Sequence, residues 1–65
     1  MGVQAGNLKP LDRKVLVRTA RLLGSDCAAA RALADADAHD GEVRFFLFRD
    51  QILVEKSGAD PTMYS

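Results

Sequence analysis

Residues 42–56, EVRFFLFRDQILVEK, contain the strongest strand pattern in the chain. β-Branched and aromatic side chains are frequent in this segment, as they are in strands. Asp40 and Gly41 precede it and interrupt any helix that comes before it. Asp50 and Gln51 lie near its middle, where a two-residue turn would let the chain fold back on itself. The segment therefore predicts an antiparallel β-hairpin.

This hairpin would be apolar on both faces. One face would carry Val43, Phe45, Leu47, Ile52 and Val54, and the other Phe46, Phe48 and Leu53 beside Arg44 and Glu55. Helices can cover only one face, and an isolated hairpin is marginally stable. We therefore expect Phe46, Phe48 and Leu53 to form a homodimer interface, through a shared sheet or a packed face, or to bind a protein partner. Alternatively, the N-terminal residues or the C-terminal GADPTMYS folds back, with Met63 and Tyr64 over Phe46 and Phe48.

Two helices are predicted upstream of the hairpin. The first spans residues 11–23, with Pro10 suited to its first turn and Gly24 suited to its end. Its broad apolar arc comprises Leu11, Val15, Leu16, Thr19, Ala20, Leu22 and Leu23. The second spans residues 26–38, begins with Ser25 or Asp26 as its cap, and contains seven alanines. Leu33 is its only large aliphatic residue, so this helix is expected to pack closely and to bury little surface.

These elements predict one small α+β domain over residues 1–65, with flexible tails at about 1–9 and 57–65. A core of this size supplies only about 3–5 kcal/mol of stability. The chain has one cysteine, which excludes an internal disulfide, and one histidine, which argues against a metal cage. Because neither can supplement the core, we expect the protein to be a homodimer.

The net charge of zero conceals a division along the chain. Residues 1–24 contain five cationic side chains and one carboxylate, whereas residues 25–42 contain five carboxylates and one arginine. Such blocks often mark a partner surface. They could equally neutralise each other across the pair of helices.

The stretch at residues 19–37, TARLLGSDCAAARALADAD, has the features of a helix-turn-helix. Ala20 is the small residue where the helices cross, Gly24 is in the turn, and Leu23, Ala30 and Leu33 hold the second helix. TARLLG at residues 19–24, the alanine-rich helix and VRFFLFRDQILVEK at residues 43–56 together resemble the small Cro-type phage repressors. Thr19, Ala20, Leu23 and Gly24 are the close matches. The resemblance implies a dimeric DNA-binding transcriptional regulator whose hairpin mediates dimerisation.

In that interpretation, Lys14, Arg18 and Arg21 form a basic stripe that would contact DNA phosphates, and Arg31 would face the bases. The second helix offers few other base-reading groups, since its corresponding positions are Asp26, Cys27, Ala28, Ala32 and Asp35. The alternative is therefore a protein-binding module, such as an inhibitor, an antitoxin-like protein or an adaptor. It would act through the apolar hairpin face or through the acidic residues at 35–42.

Enzymatic activity is not expected. Asp35 and His39 are spaced to share a helix face, but two ligands are too few for a metal site, so we predict a hydrogen bond between them. Cys27 is expected to pack at the helix junction, and no phosphate-binding loop or cofactor motif is present. No apolar run approaches the roughly 20 residues of a membrane helix, and the N-terminus does not resemble a secretory signal, so a cytoplasmic location is expected.

Overall fold

The computed structural model describes residues 7–65 and confirms the α+β class. The elements run β1 (Lys9–Leu11), α1 (Arg13–Leu23), α2 (Ala28–Ala38), β2 (Val43–Phe48), β3 (Gln51–Lys56) and β4 (Thr62–Tyr64). The strands form one antiparallel sheet in the order β1-β2-β3-β4. No helix within residues 7–65 is long and apolar enough to cross a membrane.

The prediction that Pro10 opens the first helix is wrong, because Pro10 lies in β1 opposite Phe46. The backbone N–H of Ser57 donates to the carbonyl of Glu42, the residue before β2. Every second residue from Glu42 onward therefore forms its backbone hydrogen bonds with β3, and the backbone groups of the residues between them point toward β1. The backbone nitrogen of Pro10, which carries no hydrogen, therefore points away from β2. The sheet loses no hydrogen bond at this position. Asp12 begins α1 instead, and its carboxylate accepts from the N–H of Lys14 at 2.9 Å.

The junction between the helices differs slightly from its prediction. Gly24 ends α1 as expected, with a φ of 97° that favours glycine, and its N–H donates to the carbonyl of Ala20. The cap of α2 is Cys27 rather than Ser25 or Asp26, since the Cys27 Sγ accepts from the N–H of Ala30 at 3.4 Å. The second helix therefore begins at residue 28 instead of residue 26.

The core lies between α2 and the sheet face that the helices cover. Its buried members are Leu16, Ala29, Ala32, Ala36, Phe45, Ile52 and Val54. The alanines of α2 let this helix lie close to the strands. The predicted apolar arc of α1 is wrong in extent, because Leu22 is 79% exposed and Leu23 is 70% exposed. Because α1 packs against α2 at the margin of the core, it contributes only Leu16 as a fully buried side chain.

The hairpin turn is formed by Arg49 and Asp50, one residue before its predicted position, and Arg49 has a φ of 59°. Phe48 and Gln51 pair on either side of it. Moving the turn by one residue shifts the pairing by two, so each side chain keeps its face. The predicted division of the hairpin into two apolar faces is therefore confirmed.

Parts of the two segments predicted as flexible tails pair as strands in the sheet. Lys9 belongs to β1, and residues 62–64 form β4 alongside β3. The C-terminal segment does fold back, as one alternative proposed, but it does so within the sheet instead of over Phe46 and Phe48. Met63 lies beside Leu53, whereas Tyr64 lies on the face that the helices cover. The part of the predicted N-terminal tail at residues 1–6 lies outside the described residues.

Candidate functional site: the outer face of the sheet

The sheet carries an apolar strip on the side opposite the helices, which we call the outer face. The register places Pro10, Phe46, Leu53 and Met63 in one row across all four strands, with Phe48 nearer the hairpin turn. Pro10 is exposed and the other four side chains are half-buried. The predicted interface residues Phe46, Phe48 and Leu53 thus lie together on one surface.

Charged groups border the outer face at its two ends. Arg44 and Glu55 face each other across β2 and β3 with an N–O distance of 3.2 Å. At the other end, the Arg49 guanidinium lies 5.6 Å from the centre of the Phe48 ring. The outer face therefore has an apolar centre, with one charge of each sign at the end away from the hairpin turn, where Arg44 and Glu55 lie.

The predicted basic stripe of Lys14, Arg18 and Arg21 is exposed on α1. At about 100° per residue, these side chains project from the side of the helix opposite Leu16, the buried residue of α1. Within residues 7–65, none of the three takes part in a salt bridge. The structure thus brings these three predicted residues together as a solvent-facing stripe.

Arg31, the predicted base reader, is not part of that stripe. Its guanidinium lies 5.7 Å from the centre of the Tyr64 ring and donates to the carbonyl of Ser65, and its Nε donates to the carbonyl of Asp26. The neighbouring positions assigned to the reading surface are also engaged, since Ala32 is fully buried and Asp35 bonds to β3 and β4. The packing of α2 on the sheet thus uses Ala32 and Asp35, whereas Arg31 is exposed beside β4.

The acidic end of α2 is partly neutralised by neighbouring cations. Asp35 accepts from Lys56 Nζ at 3.0 Å and from the Tyr64 hydroxyl at 2.7 Å, and Asp37 pairs with Arg13 at 2.7 Å. The Tyr64 hydrogen bond, aided by Lys56, lowers the pKa of Asp35 against the opposing effect of burial. The same hydrogen bond, with burial and the negative charge of Asp35, raises the pKa of Tyr64. The side chains of Asp35 and Asp37 are thus occupied within the fold.

The predicted hydrogen bond between Asp35 and His39 is wrong, because Asp35 turns toward Lys56 and Tyr64. The His39 Nε2 lies 3.5 Å from the Ser57 hydroxyl instead. Cys27 is half-buried and caps α2, in keeping with its predicted place at the helix junction. Among the described residues, no three His, Cys, Asp or Glu side chains are grouped so that they could hold a metal ion.

Sequence reasoning missed the contacts that fix β4, which are the polar cluster of Asp35, Lys56, Thr62 and Tyr64. The only sequence signal for it was that Lys56 falls on the same face as Val54 and Ile52, where an unpaired ammonium would be unfavourable.

Comparisons of the chain with models of protein families, with curated proteins and with solved structures found no match.

Proposed function

We propose that this chain is a non-catalytic protein-binding module that pairs with a second copy of itself through the outer face. The observation that carries the proposal is the row of Pro10, Phe46, Leu53 and Met63 on the side of the sheet that the helices leave uncovered. Aromatic residues and methionine are enriched at the centres of protein interfaces.

The small core also favours this function. Three of its seven buried apolar side chains are alanines, which bury little area, so the isolated chain gains little stability from its interior. Burying Phe46, Leu53 and Met63 against a partner would add apolar area that the chain does not bury alone. A partner is one of the usual ways in which domains of this length become stable.

Charge and strand placement favour packing of two outer faces over a shared sheet. In a two-fold dimer each face meets a copy of itself, and the opposite charges of Arg44 and Glu55 allow this without net repulsion. A shared sheet would have to form at an edge strand. The edge strands β1 and β4 have three residues each, and Pro10 removes a donor from the outer edge of β1.

The oligomeric state tests this proposal directly. Light scattering coupled to size exclusion is expected to give the mass of a dimer, and Phe46→Glu is expected to give a folded monomer. Val15→Glu, which introduces the same charge on α1 away from the outer face, is the matched control and should remain dimeric. A wild-type mass of one chain at concentrations of about 1 mM, where even weak association is detectable, would refute the proposal.

Duplex DNA binding, as a small dimeric transcriptional regulator, is the second candidate function. The specific observation in its favour is that Lys14, Arg18 and Arg21 share one exposed side of α1. These cations would contact phosphates, and the affinity would fall steeply with added salt. Fluorescence anisotropy with a labelled duplex at low salt tests this candidate, with replacement of all three residues by Gln as the binding-deficient variant. Arg31→Gln is the control, because Arg31 lies against Tyr64 and Ser65.

A further inference from the structure

The sheet has an open groove where β1 ends before its neighbour does. β1 pairs only with residues 45–47 of β2, so Val43 and Arg44 extend beyond it. A cavity of about 560 Å³ occupies this position, and we call it the edge groove. Leu11, Ala36, Val43 and Phe45 supply apolar lining on the helix-covered side, Pro10 and Phe46 supply it on the side of the outer face, and Arg13 and Arg44 lie at its sides. Its size is within the range of ligand-binding pockets, roughly 300–1,000 Å³.

The backbone of Val43 faces this groove. Glu42 bonds to Ser57 of the strand-extending segment after β3, and hydrogen-bonded pairs alternate along an antiparallel ladder. Val43 therefore directs its N–H and carbonyl away from β3, toward the side on which β1 pairs with Phe45 and Leu47. Because β1 stops at Leu11, no strand among residues 7–65 lies opposite Val43. One donor and one acceptor of β2 are thus directed into an apolar groove.

Among residues 7–65, the partners of the two arginines at the groove are carboxylates in exposed ion pairs. Arg13 pairs with Asp37 and Arg44 pairs with Glu55, and the two arginine side chains are 51% and 67% exposed. Exposed pairs of this kind contribute about 0–1 kcal/mol, so either guanidinium can turn to another carboxylate at little cost. The groove thus combines two available guanidinium groups with a backbone donor and acceptor.

We propose that the edge groove binds the C-terminus of an extended peptide that ends in an aliphatic residue with a free carboxylate. The peptide pairs with the N–H and carbonyl of Val43 as a short added strand. Its last side chain lies against Leu11 and Phe45, and its carboxylate is bound by Arg13 and Arg44, whose planar groups match carboxylate geometry. The groove adjoins the outer face through Pro10 and Phe46, but the peptide's last side chain lies on the helix-covered side, to which Leu11 and Phe45 direct their side chains.

A titration of ¹⁵N-labelled full-length protein tests the site. The probe is an N-acetylated tetrapeptide, Thr-Thr-Leu-Val, with a free C-terminal carboxylate, and the matched probe carries a C-terminal amide. The peptide with the free carboxylate is expected to shift the Val43 amide resonance saturably. The amidated peptide is expected to bind about tenfold more weakly, because it lacks the charge that Arg13 and Arg44 bind. Arg13→Gln combined with Arg44→Gln should weaken binding of the peptide with the free carboxylate by a similar factor. Arg18→Gln, on the exposed stripe of α1, should not.

Three results would overturn the proposal: equal binding of the acid and the amide, resonance shifts centred on Leu53 and Met63 instead of Val43, or no shift at about 5 mM peptide. The retained dispersion of the ¹⁵N spectrum shows whether each variant is folded, so a loss of binding is not confused with unfolding. The titration monitors the amide resonance of Val43 and the dimer test measures the molecular mass. Failure of one proposal can therefore be distinguished from failure of the other.

Discussion

The hydroxyl of Tyr64 donates a 2.7 Å hydrogen bond to Oδ2 of Asp35 and so joins the last strand to the second helix. Lys56 Nζ lies 3.0 Å from the other oxygen of the same carboxylate and 3.3 Å from the Thr62 hydroxyl. The side chains of Asp35 and Lys56 are only 18% and 14% exposed. A short strand that would otherwise fray is thus fixed to β3 by its backbone and to α2 by its side chains.

Removing the carboxylate of Asp35 should destabilise the protein markedly. Asp35→Ala leaves the Lys56 ammonium and the Tyr64 hydroxyl without their acceptor in a mostly buried place, and we expect a loss of about 1–3 kcal/mol in the free energy of unfolding. Asp37→Ala is the control, because its pair with Arg13 is exposed and should contribute less than about 1 kcal/mol. Urea unfolding followed by circular dichroism measures both. Equal losses in the two variants would contradict the role given to the polar cluster.

The same hydrogen bond predicts how stability depends on pH. The folded state lowers the pKa of Asp35 from 3.8, so the stabilisation from its carboxylate is present above that value and is lost as the pH falls through the folded pKa. The folded state raises the pKa of Tyr64 from 10.0, so the stabilisation from its hydroxyl is present below that value and is lost as the pH rises through the folded pKa.

The test is urea unfolding of the wild type and of Tyr64→Phe across this pH range. The difference in the free energy of unfolding between the two proteins should be constant from about pH 4 to about pH 10. It should shrink at lower pH, where the Asp35 carboxylate is protonated, and at higher pH, where the Tyr64 hydroxyl is ionised. A difference that is the same at pH 11 as at pH 7 would show that the hydroxyl of Tyr64 does not act through this bond.

The alanines of α2 are expected to tolerate no enlargement on their buried side. Ala32 is fully buried between α2 and the sheet, so Ala32→Leu would force the helix outward and cost about 1–3 kcal/mol. Ala34→Leu, on the exposed side of the same helix, makes the same chemical change and should alter the stability by less than about 0.5 kcal/mol. Thermal unfolding of both variants compares them. If Ala34→Leu is the more damaging change, the orientation of α2 is incorrect.

Periodicity predicted the helices and the two hairpin faces because these follow from local spacing. The side chains of residues 43–56 alternate strictly, and alternation is unaffected by the position of the turn. Periodicity did not predict the two edge strands, β1 and β4. Pro10 suits a first helical turn as well as an edge strand, and only the partner Phe46, 36 residues later in the chain, decides between them.

The candidate sites divide in the same way. The exposed stripe of Lys14, Arg18 and Arg21 and the outer face followed from spacing, because each lies on one element or one hairpin. The engagement of Arg31 by Tyr64 and Ser65 did not, since it depends on β4, which the composition of residues 57–65 did not indicate. The edge groove likewise depends on the different lengths of β1 and β2, which are set by tertiary pairing.

Leu16 and Leu22 belong to the same predicted apolar arc of α1, but the structure buries the first and exposes the second. Leu16 is 2% exposed and fills the core, so Leu16→Ala should cost about 2–5 kcal/mol. Leu22 projects into solvent, and Leu22→Ala should change the stability by less than about 0.5 kcal/mol. Urea unfolding at a protein concentration low enough to give monomers isolates the effect within one chain. A large loss for Leu22→Ala under those conditions would mean that α1 is rotated on the core relative to the arrangement described.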